Sequence, residues 1–196
     1  SARFVSDADT AHPGRANRLN VKNVSVGEGY IVHVLVRGER IVSDHLGKAL
    51  AFDGKSSRAV SSHPWPASPS VRIVTRFRPK QIGGRQTVAA CPGAWELVCD
   101  GPNIVFEWVE RDGGARRSLA LENALLADRW RKVDLEFNAA EGLAQVSASG
   151  QHPGRLFVPI GAASLNVTGS ALAPARSPVY LGASDANGRN ALTGEI

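Results

Sequence analysis

The feature that most constrains this chain is an apolar–polar alternation with a period of two, broken at short intervals by turn residues. In "RWRKVDLEFN" (129–138), Val133, Leu135 and Phe137 alternate with Lys132, Asp134 and Glu136. The turn "AAEG" and a second alternating run, "LAQVSAS" (143–149), follow directly. "SVRIVTRFRPK" (70–80) sets Val71, Ile73, Thr75 and Phe77 against Arg72, Val74, Arg76 and Arg78. "WELVC" (95–99) and "IVFEWVE" (104–110) flank the turn "DGPN". "YIVHVLV" (30–36) and "VYLGAS" (179–184) read as further strands. Period two puts successive side chains on opposite faces of a strand, one for a core and one for solvent. The sole helix candidate, "SLALENALLAD" (118–128), has no clean amphipathic repeat and reads as a strand and a turn. Many short strands between Gly, Pro, Asn and Asp turns predict an antiparallel all-β sandwich or barrel. In "GKALAFDGKSSRAV" (47–60), Asp53-Gly54 predicts a tight turn between two short strands, read as a hairpin.

The 196 residues suit one domain large enough to bury a core without staples. No run approaches the ~18 apolar residues of a membrane helix, so no membrane span is expected. The opening Ser1-Ala2-Arg3, in a chain without Met, reads as processed or trimmed. The formal charge of +5 comes mostly from Arg and favours anionic partners. These residues are scattered, with no tract like a nucleic-acid tail, so no nucleic-acid partner is expected. Cys91 and Cys99 are too few for a metal site. Read as a hairpin turning at Pro92-Gly93, "VAACPGAWELVC" sets the two thiols too far apart along the return strand to bridge, so both are expected to be free. Asn23-Val24-Ser25 and Asn166-Val167-Thr168 are glycosylation sequons.

The signals for catalysis are thin, and an enzyme is the weaker expectation. Asp134 and Glu136 share a strand face but lack the third carboxylate of a Glu-x-Asp-x-Glu glycosidase run, so ion pairs with Arg72, Arg76 or Arg78 are the simpler use. The five histidines are dispersed, and there is no Gly-x-Ser-x-Gly elbow and no phosphate loop. The arginine stripe is more distinctive. Arg72, Arg76 and Arg78 fall on one strand face, and a forked guanidinium suits carboxylate, sulfate or phosphate. The stripe is a candidate floor for an acidic saccharide, with neighbouring acids as the competing use. Trp65, between prolines in "SSHPWPASPS", is a candidate ring for sugar stacking, with capping of the sandwich as its alternative. Trp95 and Trp108 read as packing residues from the alternation of their strands.

The ordered set of segments resembles the laminin-G-like, concanavalin A-like superfamily. "LGKALAFDGKSSRAV" is similar to its early Gly-x-Ala-Leu-x-Phe-Asp-Gly segment. "GAWELVCDGPNIVFEWVERDGG" resembles its Trp-x-Leu hairpin, and "RWRKVDLEFNAAEGLAQVSASG" its Trp-x-x-Val strand and turn. "SPVYLGASDANGRNALTGEI" resembles its penultimate strand and Gly-x-Ile approach to the last. The resemblance runs from about residue 30 to the end. It implies a two-sheet jelly roll over 30–196, with 1–29 as an extension wrapping the sandwich. It also implies a non-catalytic glycan-recognition module of a secreted or surface protein. A structural domain without a ligand, and a glycan hydrolase or lyase, stand as alternatives, because this fold hosts all three. Relatives of this kind often hold Ca²⁺, and "SDANGRN" offers Asp185 and Asn187 as ligands. Family domains carry a further strand after Gly-x-Ile, whereas this sequence stops at Ile196. So either the chain is a fragment, or the first thirty residues or another polypeptide segment, as a partner, complete the sheet.

Overall fold

The alternation seen in the sequence becomes a two-layer sandwich. The computed structural model describes residues 17–19, 34–37, 40–44, 47–55, 57–65, 68–111, 114–152 and 155–196. Among them lie fifteen strands and no helix. They are β1 (Asn17–Leu19), β2 (Val34–Arg37), β3 (Arg40–Asp44), β4 (Gly47–Asp53), β5 (Arg58–Pro64), β6 (Val71–Pro79), β7 (Arg85–Cys91) and β8 (Trp95–Asp100). Beyond them follow β9 (Asn103–Val109), β10 (Arg116–Leu121), β11 (Arg131–Asn138), β12 (Leu143–His152), β13 (Arg155–Asn166), β14 (Pro178–Leu181) and β15 (Thr193–Glu195). One sheet has eight strands, in the order β1-β2-β5-β14-β7-β8-β9-β10. The other has seven, in the order β13-β12-β11-β6-β15-β4-β3. All pairings are antiparallel.

The core lies between the sheets. Strand β11 buries Val133, Leu135 and Phe137 completely and turns Lys132, Asp134 and Glu136 outward. From the opposite sheet come Leu97, Ile104, Phe106 and Trp108, all at 0–1% exposure. Trp108 meets Phe137 across the interface with ring centres 5.3 Å apart, and Phe106 stacks on Trp108 at 5.4 Å. Full burial of such side chains stabilises by about 1.5–3 kcal/mol each. The indole N–H groups of Trp65, Trp95 and Trp108 find no hydrogen-bond partner among the described residues. Cys91 and Cys99 are buried free thiols, as expected.

One sequence expectation is corrected. Asp53-Gly54 does turn the chain. Asp53 Oδ1 accepts the N–H groups of Lys55 and Ser57, and Gly54 takes a φ of +74°. The turn is not a hairpin, however. β4 pairs β3 and β15 in one sheet, while β5 pairs β2 and β14 in the other. The segment is a corner at which the chain changes sheets. Within the stretch read as an extension, Asn17–Leu19 pairs as strand β1, and all the rest lies outside the described residues.

The segment ending at Ile196 lies in the middle of its sheet. Glu195 pairs Ala51 on one side and Arg78 on the other, and Ile196 exchanges both main-chain hydrogen bonds with Leu50. Gly194 makes this insertion possible, because a Cβ there would collide with the Arg78 carbonyl oxygen.

Candidate functional site

Strand β6 places its arginines on the outer face of the seven-stranded sheet, as the alternation predicts. Their surroundings differ. Arg72 grips Asp134 with a forked pair of bonds, Nε to Oδ1 at 3.2 Å and Nη2 to Oδ2 at 2.9 Å. Glu136 is its cross-strand neighbour. Arg78 forms an ion pair with the buried Glu195 and lies over the Trp130 ring, 5.4 Å from its centre. Arg76 sits between them with no carboxylate partner among the described residues. Its cross-strand neighbour is another cation, Lys132. Its guanidinium lies over the Phe157 ring, 5.3 Å from the centroid. Ser149 on β12 is the next residue in this row, opposite Lys132. The sheet thus presents, side by side, a guanidinium, an ammonium, a hydroxyl and an aromatic ring. Asp134 answers Arg72, and Asp128 and Glu195 answer Arg78, so among the described residues the unanswered charge is at Arg76 and Lys132.

Trp65 is not part of this surface. It follows β5 in the other sheet, is half-buried, and packs edge-on against Trp95 with centroids 5.6 Å apart. Its main-chain N–H donates to the Ser177 carbonyl.

The calcium expectation meets an unsuitable donor set. Asp185 Oδ1 accepts the N–H groups of Asn187 and Arg189, and Oδ2 receives the Arg189 Nε–H. Burial disfavours its charge, yet the Arg189 guanidinium and these two main-chain donors together hold the carboxyl below its usual range. A cation at Asp185 and Asn187 would compete with a guanidinium already in place. Among the described residues no cluster of three or more Asp, Glu, His or Cys side chains could hold a metal. The residues therefore do not fit a Ca²⁺ ion.

A second polar cluster, missed in the sequence, lies on the outer face of the eight-stranded sheet. Glu96 on β8 and Glu107 on β9 are cross-strand neighbours. Arg85 on β7 reaches both, at 2.9 Å to Glu96 Oε2 and 2.7 Å to Glu107 Oε1. Thr87 donates to Glu96 Oε1 at 2.6 Å, and Ser184, from the loop after β14, donates to the same oxygen. Arg116 on β10 adds a bond to Glu107 Oε2 at 3.2 Å. Beside this network is a pocket of about 130 Å³. Burial penalises the Glu96 charge, but Ser184, Thr87 and Arg85 outweigh it and keep the carboxyl below its ordinary range. A general acid of a glycosidase needs the opposite shift. Glu96 therefore lacks the raised pKa of such an acid.

No family model matches the chain, and no curated protein matches its sequence. Solved structures do match. Domains LG4-5 of the mouse laminin alpha1 chain superpose with a TM-score of 0.56 at 15% identity, covering 75% of this chain and 38% of that one. The CBM40 of an IT-sialidase from Ruminococcus gnavus, bound to alpha2,3 sialyllactose, matches with a TM-score of 0.52 at 12% identity over 83% of this chain and 88% of that one. Tailspike protein 2 from the Escherichia coli O157:H7 bacteriophage CAB120 matches with a TM-score of 0.55 at 14% identity, covering 80% of this chain and 23% of the tailspike. The chain therefore spans well under half of the laminin chain it matches. At such identities the likeness defines the fold. The chain has the laminin-G-like, concanavalin A-like jelly roll that the sequence resembled.

Proposed function

We propose that this domain is a non-catalytic glycan-binding module, and that it takes acidic saccharides on the outer face of the seven-stranded sheet. The observation that carries the reading is the Arg76–Lys132 pair. Like charges directly opposite on neighbouring strands destabilise a sheet, and here neither forms an ion pair with a described carboxylate. An anion lying across β6 and β11 would. A guanidinium offers two parallel N–H groups to a carboxylate or sulfate, and the ammonium offers a second point charge. Ser149 supplies a hydroxyl partner, and the Phe157 ring an apolar surface for sugar C–H groups. The CBM40 match, a structure bound to a sialylated sugar, supports an acidic glycan as the ligand class. The same reading puts the domain on a secreted or cell-surface protein.

The test is affinity electrophoresis of the wild-type, Arg76→Ala and Lys132→Ala proteins in gels containing polygalacturonate, heparin or neutral dextran, followed by titration of alpha2,3 sialyllactose. Both residues are solvent-facing, so the variants are expected to fold. The expected result is retardation by an acidic polymer but not dextran, with about tenfold or greater weakening in each variant. Unchanged retardation of both variants would overturn the site. Retardation by dextran alone would overturn the acidic class.

A further inference from the structure

We infer that the pocket on the opposite face, between β7, β8, β9 and the loop after β14, is a second saccharide site, and that it takes a neutral sugar ring. It lies on the outer face of the other sheet and shares no residue with the Arg76–Lys132 row.

The ligand class follows from the charge balance. Three carboxylates, Glu96, Glu107 and Asp185, meet three guanidiniums, Arg85, Arg116 and Arg189. A balanced cluster gives an ion no net attraction. It does offer donors and acceptors in alternation, which suits hydroxyl groups, since each O–H both donates and accepts. The donors are at the rim. Arg116 and Arg189 have side chains 65% and 76% exposed, and each commits only a small part of its guanidinium to its acid, Nη1 to Glu107 and Nε to Asp185. The acceptors are deeper. Glu96 and Glu107 are 15% and 17% exposed and take three bonds each, which leaves about one lone-pair site apiece.

Shape sets the size. Ala90, Gly93 and Ala94 line the pocket without bulk, and Val109 and Pro92 supply apolar wall. Its volume of about 130 Å³ is that of a single small ring. One pyranose fits with a diol edge inward and the rest of the ring at the open mouth. This suits a chain end or a branch residue.

The test uses the whole chain labelled with ¹⁵N. Methyl α-glucoside, methyl α-mannoside, methyl β-galactoside and N-acetylglucosamine are titrated into the millimolar range while the Gly93, Ala94 and Ser184 amides are followed. Saturable shifts of these amides with at least one sugar are expected. Arg116→Ala and Arg189→Ala should weaken that binding about tenfold. Arg76→Ala should leave it unchanged, which separates this site from the acidic-glycan surface. Melting curves establish that each variant is folded. No saturable shift with any of the four sugars would overturn the site. So would binding indifferent to both rim arginines, or binding lost with Arg76→Ala.

Discussion

At the residue scale, charge does different work on the two faces, and Glu96 shows the stabilising kind. Its carboxylate is mostly buried, so burial alone would raise its pKa. Hydrogen bonds from Ser184, Thr87 and Arg85 reverse the sign. A carboxyl held lower in the folded than in the unfolded chain stabilises above its unfolded value, about 4.3 for Glu, and loses that contribution as pH falls through its folded value. Asp185 is shifted in the same direction. Urea unfolding should therefore give a steady stability from pH 8 to pH 5 and a decline below about pH 4. Glu96→Gln should cost about 1–3 kcal/mol at pH 7, because it leaves Arg85, Thr87 and Ser184 facing a weaker acceptor. At pH 3 the gap to wild type should narrow, and an equal gap at both pH values would count against this account. The thiols carry a simpler expectation. Burial pushes Cys91 and Cys99 up to about 12. A thiolate-specific reagent at pH 8 should find neither in the native protein and both in denaturant. The arginine stripe and the Asp134 pairing were legible because both follow from period two. The Glu96 network was not. It depends on which residues of β7, β8 and β9 stand abreast, and the register slips between Thr87 and Ala89. No local pattern in "RQTVAAC" announces that bulge.

At the element scale, the short strand β15 holds the seven-stranded sheet together. It has three residues, yet it separates β4 and β6, which have seven and nine. Gly194→Ala should push its backbone off Arg78 and Pro79 and cost about 1–3 kcal/mol, seen as a drop in melting temperature. The edge of β6 facing β15 is only partly used. β15 pairs with Arg78 and Pro79, and the alternation of an antiparallel ladder turns the main-chain groups of Arg72, Val74 and Arg76 toward the same side. No strand among the described residues pairs with them there. The core face of β6 shows the effect. Ile73 and Thr75 are only half-buried, whereas Val133 and Leu135 on the adjoining β11 are fully buried. A strand laid beside β6 should pair with this edge. Six alternating Val and Thr residues appended after Ile196 should raise the melting temperature, and a Gly-Ser extension of equal length should not. Equal melting temperatures would mean the edge does not accept a strand. The existence of most strands was readable from period and turn residues. The sheet to which each belongs was not, because an Asp-Gly corner between sheets and an Asp-Gly hairpin have the same local chemistry.

At the scale of the whole molecule, the sandwich presents two outer faces on opposite sides of one core, and their electrostatics differ in kind. On one, Arg76 and Lys132 stand adjacent without a described counter-charge. On the other, guanidiniums and carboxylates cancel in pairs. Salt separates the two. Attraction between an exposed cationic row and an acidic glycan is long-ranged and is screened within about 8 Å at physiological ionic strength and about 3 Å at 1 M. Hydrogen bonding of a neutral ring in a charge-balanced pocket has no such long-range component. Raising sodium chloride from low salt to about 1 M should therefore abolish most binding to polygalacturonate or heparin, while the dissociation constant of a neutral methyl glycoside changes less than about twofold. The two should also bind independently, because they share no residue and the fully buried layer containing Trp108, Phe106 and Phe137 lies between the faces. Saturating one ligand while titrating the other checks this. An unchanged affinity fits two separate sites on a shared scaffold. Competition would place both ligands on one surface and remove the division of labour between the sheets.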